Sequence, residues 1–157
     1  MNVCFIGHRT IENGDALFPL LKETISDLIN KGATTFLFGS MSEFDDLSLR
    51  AVTELKKEHL NIKRIDVRAA YQHIDKAYEN YLLKFYEETY FPPKIENAGK
   101  YSYVERNREM IDNSEYCIFY YNESYTLQTG RNSGTKNAYL YAIKKKKQII
   151  NMYNQHI

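Results

Sequence analysis

Cys4-Phe5-Ile6-Gly7-His8-Arg9 and, more than a hundred residues later, the run Tyr116-Cys117-Ile118-Phe119-Tyr120 followed by Asn132-Ser133-Gly134-Thr135 are the stretches on which the fold turns. Each reads as a buried strand leading to a glycine-bearing turn and then a helix. In an open parallel sheet, ligands bind beyond the carboxyl ends of the strands, where the strand order reverses. Two strand–turn–helix units far apart in sequence can meet at such a point. Backbone N–H groups at a glycine turn and a helix N-terminus suit phosphate.

Outward from these runs the chain alternates strand and helix. Val3 to Ile6 is short and wholly apolar, as a buried strand requires. Leu17, Leu20, Leu21, Ile25, Leu28 and Ile29 recur at helical spacing. Asp15 is placed to cap that helix, Pro19 fits its first turn and Gly32 can close it. Thr34 to Phe38 is a second strand, followed by Gly39-Ser40 and a helix over Glu43 to His59. Lys63 to Val67 is a third strand. Ile74 to Tyr90 has helical content, Phe91-Pro92-Pro93 stops it, and Lys94 to Lys100 reads as a loop. Ser102, with Glu105 three residues on, has capping-box spacing for a helix to Asn113. A strand over Tyr116 to Tyr120, a polar loop, a helix over Gly134 to Lys146 and a strand over Gln148 to Met152 complete the chain.

Alternation with helical crossovers, and no hairpin signal, predicts an α/β fold with helices on both faces of a mostly parallel five-stranded sheet. Right-handed crossovers favour the order 3-2-1-4-5. That order puts the reversal between the strands ending at Ile6 and Tyr120, so both opening motifs reach one crevice. The reading is one domain over 1–157, with an irregular excursion at about 69–101 that serves as a lid, an arm or a plain surface segment.

Composition narrows the function classes. The chain has 157 residues, with 21 basic and 20 acidic side chains and a formal net charge of +1. A nucleic-acid surface usually shows a strong basic excess, so this balance argues against such a partner. The one basic run, Lys144 to Lys147, ends a helix, where lysines complement the dipole. The two cysteines lie inside strands without metal-ligand spacing, and no metal or cofactor is expected. Fourteen tyrosines and no tryptophan are unusual, but many fall on core strands and helix faces rather than forming a stacking platform. No signal-peptide pattern and no apolar stretch of membrane length is present, which predicts a cytoplasmic protein without a membrane partner.

Four groups of residues are candidates for the site. Gly7 allows a tight turn, Arg9 offers a planar donor for phosphate, and His8 can donate a hydrogen bond or carry a proton. Gly39 and Ser40 can approach a ribose or phosphate, and Glu43 and Asp45 can accept ribose hydroxyls. Those two acids equally suit a first helical turn with no ligand. Arg106-Asn107-Arg108 sets two arginines on different helix faces, one able to turn into the crevice. Ser133, Gly134 and Thr135 can cradle a phosphate with their amides and a hydroxyl. Neither GxxxxGK[ST] nor GxGxxG is present.

Taken together, Phe-Ile-Gly-His-Arg at 5–9, Phe-Gly-Ser at 38–40 with Phe-Asp at 44–45, Arg-Asn-Arg-Glu-Met-Ile-Asp at 106–112, and Ser-Gly-Thr at 133–135 before a Tyr-Ala helix resemble the SLOG superfamily. That superfamily joins Smf-type DNA-processing proteins, LOG-type phosphoribohydrolases and small Rossmann-like proteins. The chain is most similar to small stand-alone bacterial and phage members that begin with Gly-His-Arg. The resemblance covers nearly the whole chain and is weakest from Ala70 to Tyr101. It implies a Rossmann-like three-layer sandwich that binds nucleotides or nucleotide-derived ligands, and homodimers or higher homo-oligomers are plausible by the same token.

LOG enzymes carry an Arg-Lys pair and a Pro-Gly-Gly-x-Gly-Thr loop followed by a glutamate. Here Arg106 and Asn107 take the place of the pair, and Ser133-Gly134-Thr135 that of the loop. Asn107 is not basic, and Lys136-Asn137-Ala138 supply no glutamate. N-glycoside hydrolysis needs a carboxylate, for which only Glu43 or Asp45 is at hand. Other SLOG domains sense nucleotide signals, including cyclic ADP-ribose-like molecules of bacterial defence. The expectation is therefore a protein that binds a nucleotide-derived small molecule as sensor or sequestering protein. The alternatives are a nucleotide N-glycosidase and a Smf-like binder of single-stranded DNA.

Overall fold

The computed structural model describes residues 1–39, 42–125 and 133–153. Its strands are β1 (Asn2–Gly7), β2 (Thr35–Phe38), β3 (Lys63–Val67), β4 (Glu88–Tyr90), β5 (Tyr116–Tyr120) and β6 (Gln148–Asn151). Its helices are α1 (Gly14–Asn30), α2 (Glu43–Lys56), α3 (Lys76–Leu82), α4 (Ser102–Asp112) and α5 (Gly134–Lys144). All strand pairs are parallel, in the order β4-β3-β2-β1-β5-β6.

Period-two alternation along the central strands divides the core between the two faces of the sheet. Val3, Phe5, Phe36, Phe38, Ile118 and Tyr120 face one side, where Leu17, Leu21 and Ile25 of α1 and Phe44, Ala51 and Val52 of α2 cover them. Cys4, Ile6, Leu37, Val67, Cys117 and Phe119 face the other, under Met110 and Ile111 of α4 and Ala138 and Ala142 of α5. The result is the helix–sheet–helix layering that the alternation predicts. Cys4 and Cys117 are register partners on neighbouring strands, both fully buried and both free thiols. Burial, reinforced by the neighbouring Cys117, pushes the Cys4 thiol's pKa well up.

The sheet has one more strand than the five expected. Glu88–Tyr90 adds to the β3 edge, and the remaining order is the expected one. The run Ile74 to Tyr90 is not one helix: α3 stops at Leu82, and the chain then turns back to the sheet. No glycine or proline marks that turn, so composition hides it. Polar clasps hold the short strand. Glu87 takes Arg64 Nε at 3.0 Å and Nη2 at 2.8 Å, and Thr89 Oγ1 donates to Asp66 at 2.9 Å. Lys94 to Lys100, read as a loop, contains the 3₁₀ turns Pro93–Ile95 and Gly99–Tyr101.

Several helix ends differ from expectation. Asn13, not Asp15, caps α1: it takes a left-handed conformation at φ 50° and accepts the Ala16 amide. Asn is one of the few residues that tolerates that conformation. Pro19 lies in the second turn of α1, where it leaves the Asp15 carbonyl without its usual amide donor. Gly32, at φ +110°, closes the helix as expected, with the Ala33 amide bonded back to the Leu28 carbonyl. Ser102 is the first residue of α4 rather than its cap, and its hydroxyl donates to the Gly99 carbonyl at 2.6 Å. The helix expected to reach His59 ends at Lys56. Among the described residues, no helix is long and apolar enough to cross a membrane.

Candidate functional site

The carboxyl ends of β1, β2 and β5 open into a cleft of about 520 Å³. Gly7, His8 and Arg9 enter it from β1, Gly39, Ser42 and Asp45 from the β2–α2 turn, Arg106 and Asn107 from α4, and Ser133, Gly134 and Thr135 from the start of α5. Ten of the thirteen residues singled out in the sequence thus share one crevice, and Arg108 lines a separate depression between α4 and α5. Glu43 does not line it, and Ser40, like Asn132, lies outside the described residues.

The floor is Arg106, only 5% exposed. Its Nη1 donates to the carbonyls of Gly39 at 2.9 Å and Val67 at 3.2 Å, and its Nε to Asn107 Oδ1 at 3.0 Å. It therefore ties the ends of β2 and β3 to α4. Burial lowers its pKa, against the opposing charges of Asp45 and Asp66. A Cβ at position 39 would lie 2.8 Å from its Cζ, so the room glycine leaves there is taken by the guanidinium. Likewise a Cβ at Gly7 would lie 2.6–2.7 Å from Phe44, the residue that brings α2 against β1.

His8 is built into the wall. Its amide donates to the Tyr120 carbonyl at 3.2 Å, and its Nε2 accepts the Asn122 amide at 2.9 Å. An acceptor Nε2 puts the proton of the neutral ring on Nδ1. Burial lowers the His8 pKa. Arg9, by contrast, is exposed, and among the described residues its guanidinium has no ion pair. Its carbonyl accepts the Glu43 amide at 2.8 Å, while Glu43 Oε2 takes the Ile11 amide at 2.8 Å. Glu43 is thus a clasp between the β1–α1 and β2–α2 turns. Ser42 caps α2, accepting the Asp45 amide and donating to Asp45 Oδ2, both at 3.0 Å. Asp45 is 7% exposed.

Ser133 caps α5: its hydroxyl accepts the Lys136 amide at 3.0 Å and its carbonyl the Asn137 amide. The first amides of a helix have no partner within it, and Gly134 and Thr135, which carry the first two of α5, both line the cleft. A Cβ at Gly134 would meet nothing within 4 Å.

Sequence reasoning missed Thr10, Tyr103 and Tyr125, which also line the cleft. Tyr103 is 43% exposed and carries Arg106 5.6 Å from its ring centre; Tyr125 is 44% exposed and packs 4.6 Å from the His8 ring. A high tyrosine count is the signal they gave, but nothing local separates them from the tyrosines of the core.

No family model matches the chain, and no curated protein matches it significantly. Among solved structures the chain is similar to DNA processing protein A from Helicobacter pylori, described for its single-stranded DNA binding mode, with a TM-score of 0.59 and 19% identity. The match covers 95% of this chain and 63% of that one, so the chain spans less than two thirds of its neighbour. At this identity the likeness is one of fold alone. It also corrects one expectation. Net charge near zero argued against a nucleic-acid partner, yet a protein with this fold is a single-stranded DNA binder, so overall charge does not exclude that partner class.

Proposed function

We propose that the chain binds a phosphorylated nucleotide unit in this cleft and holds it without turning it over. The observation that carries the reading is the N-terminus of α5, whose first residues, Gly134 and Thr135, line the cleft that the Gly7–Arg9 turn also lines. Amides at a helix start favour anions, and the exposed Arg9 adds a charge suited to phosphate. Ser42 and Asp45 serve ribose hydroxyls, and the half-exposed rings of Tyr103 and Tyr125 serve a base. A volume of about 520 Å³ falls in the range of small-molecule sites. A free ligand of this kind would be an ADP-ribose-like or cyclic nucleotide, sensed or sequestered.

The two carboxylates of the hydrolase alternative are engaged elsewhere. Glu43 holds the Ile11 amide outside the cleft lining, and Asp45 is held by Ser42 in the field of Arg106. That supports binding over cleavage. A second reading, in which the nucleotide belongs to a single strand of DNA, is supported by the fold likeness to DNA processing protein A.

Calorimetric titration with adenosine monophosphate, ADP-ribose and thymidine monophosphate tests the reading. Saturable binding of at least one, lost in Gly134→Asp and with no free base released, is expected. Absence of binding by all three, or steady release of base, overturns it.

A further inference from the structure

A second depression, of about 560 Å³, lies between α4 and α5. It uses the positions next to those of the cleft on the same two helices. Tyr103, Arg106 and Thr135 line the cleft, whereas Tyr101, Glu105, Arg108, Leu140, Tyr141 and Lys144 line the groove. From Thr135 to Lys144 the helix rises about 14 Å at ~1.5 Å per residue. That length accommodates about four nucleotides at the ~3.4 Å strand spacing of a duplex, and fewer when stretched.

The lining combines rings with cations. Tyr101 is 58% and Leu140 48% exposed. Lys100 Nζ stands 5.2 Å from the centre of the Tyr101 ring, Arg108 Cζ 4.9 Å and Lys145 Nζ 5.4 Å from that of Tyr141. The one carboxylate among the groove residues, Glu105, is already paired with Arg108 at 3.4 Å. The far end of the groove runs into Lys144–Lys147. There Lys145 shares Asp112 at 3.9 Å, while among the described residues Lys144 has no ion pair. The near-neutral total charge thus conceals a local basic strip. A second copy of the chain is a poor occupant, because a two-fold contact would set this basic face against itself. Rings interleaved with cations along an open groove are instead the chemistry that single strands recognise, by stacking and phosphate contacts.

We propose that the α4–α5 groove is a track for single-stranded nucleic acid, carrying the nucleotides that adjoin the one held in the cleft. The proposal rests on the strand-binding reading of the cleft and assigns a role to the lysine run beyond complementing a helix end.

The test compares thymidine monophosphate with oligothymidylates of two, four and eight residues, by calorimetry at low salt, on the wild type and on Tyr101→Ala/Lys144→Glu. Both substituted side chains are exposed, so the fold is retained. The expected result is affinity rising at least about tenfold from monophosphate to tetranucleotide, with the variant losing about that factor for the tetranucleotide and nothing for the monophosphate. A tetranucleotide that binds no tighter than the monophosphate overturns the track while leaving the cleft reading intact. Absence of binding by either removes the strand-binding reading of the cleft and the track with it. Sedimentation of a dimer that Leu140→Asp converts to monomer would assign the groove to a second copy and overturn the track as well.

Discussion

Arg106 occupies the space that a side chain at Gly39 would need, and the carbonyl of Gly39 is one of the acceptors that hold it, at 2.9 Å. The two positions therefore act as one unit. Arg106→Ala leaves two buried carbonyls without their donor and removes the countercharge of Asp45 and Asp66, a loss of about 3–5 kcal/mol by analogy with broken buried pairs. Gly39→Ala displaces the guanidinium and costs about 2 kcal/mol in the wild type. In the Arg106→Ala background the same change costs almost nothing, because the obstructing atoms are gone. Urea denaturation of the four chains measures the coupling, and additive losses would refute it.

Gly7 and Gly134 should separate folding from binding. Gly7→Ala drives a Cβ to within 2.7 Å of Phe44 and destabilises by about 1–3 kcal/mol. Gly134→Asp enters open space at a helix start, where a carboxylate suits the dipole, so stability is unchanged or slightly raised. The same carboxylate repels an incoming phosphate, and affinity falls at least about tenfold. Thermal unfolding and calorimetry on both variants check the contrast.

The exposed Arg9 should contribute through charge alone. Arg9→Ala is expected to leave stability within about 0.5 kcal/mol and to weaken nucleotide binding, with a shallower dependence on salt than the wild type shows. An unchanged salt slope would remove Arg9 from the phosphate contacts.

His8 gives stability a defined pH dependence. Its pKa is lowered in the folded chain from an ordinary value of 6.5, so the unfolded chain takes up the proton first. Stability attributable to His8 is complete above the ordinary value and declines as pH falls through it toward the lowered one. Urea midpoints measured across that window should fall on acidification in the wild type. In His8→Gln the decline over the same window should flatten.

Glu87 acts lower on the scale. Burial raises its pKa, but Arg64 and Lys56 more than offset this and bring it from 4.5 to about 2. A depressed carboxylate stabilises above its unfolded value, and that contribution is lost as pH falls from 4.5 toward 2. Because the group is partly solvated, about 1 kcal/mol is at stake. Glu87→Gln should lower stability at neutral pH by that amount and match the wild type near pH 2, as acid titrations followed by circular dichroism would show.

The sequence made the layered sheet legible because its strands are apolar, its helices amphipathic and its turns marked by glycine. The crevice was legible for the same reason: Gly7 ends a strand and Gly134 starts a helix at the reversal of order, and Gly39 follows the neighbouring strand. What escaped depended on contacts between distant segments. The edge strand Glu88–Tyr90 is polar, three residues long and held by Arg64, which precedes it by more than twenty residues. Asn13 caps α1 through a backbone angle that composition does not announce. Arg106 reads as a phosphate donor by residue type, yet its bonds to Gly39 and Val67 make it the floor of the site. Tyr103 and Tyr125 belong to the cleft through the tertiary fold alone.

Cys4 and Cys117 face each other across the two strands that flank the reversal, with no exposed surface on either. A thiol reagent cannot reach them while the sheet is closed, and fraying at an edge or a loop does not uncover them. Their labelling rate therefore counts openings of the centre of the molecule and ignores those of its periphery, giving the chain an internal clock for global unfolding that requires no added probe.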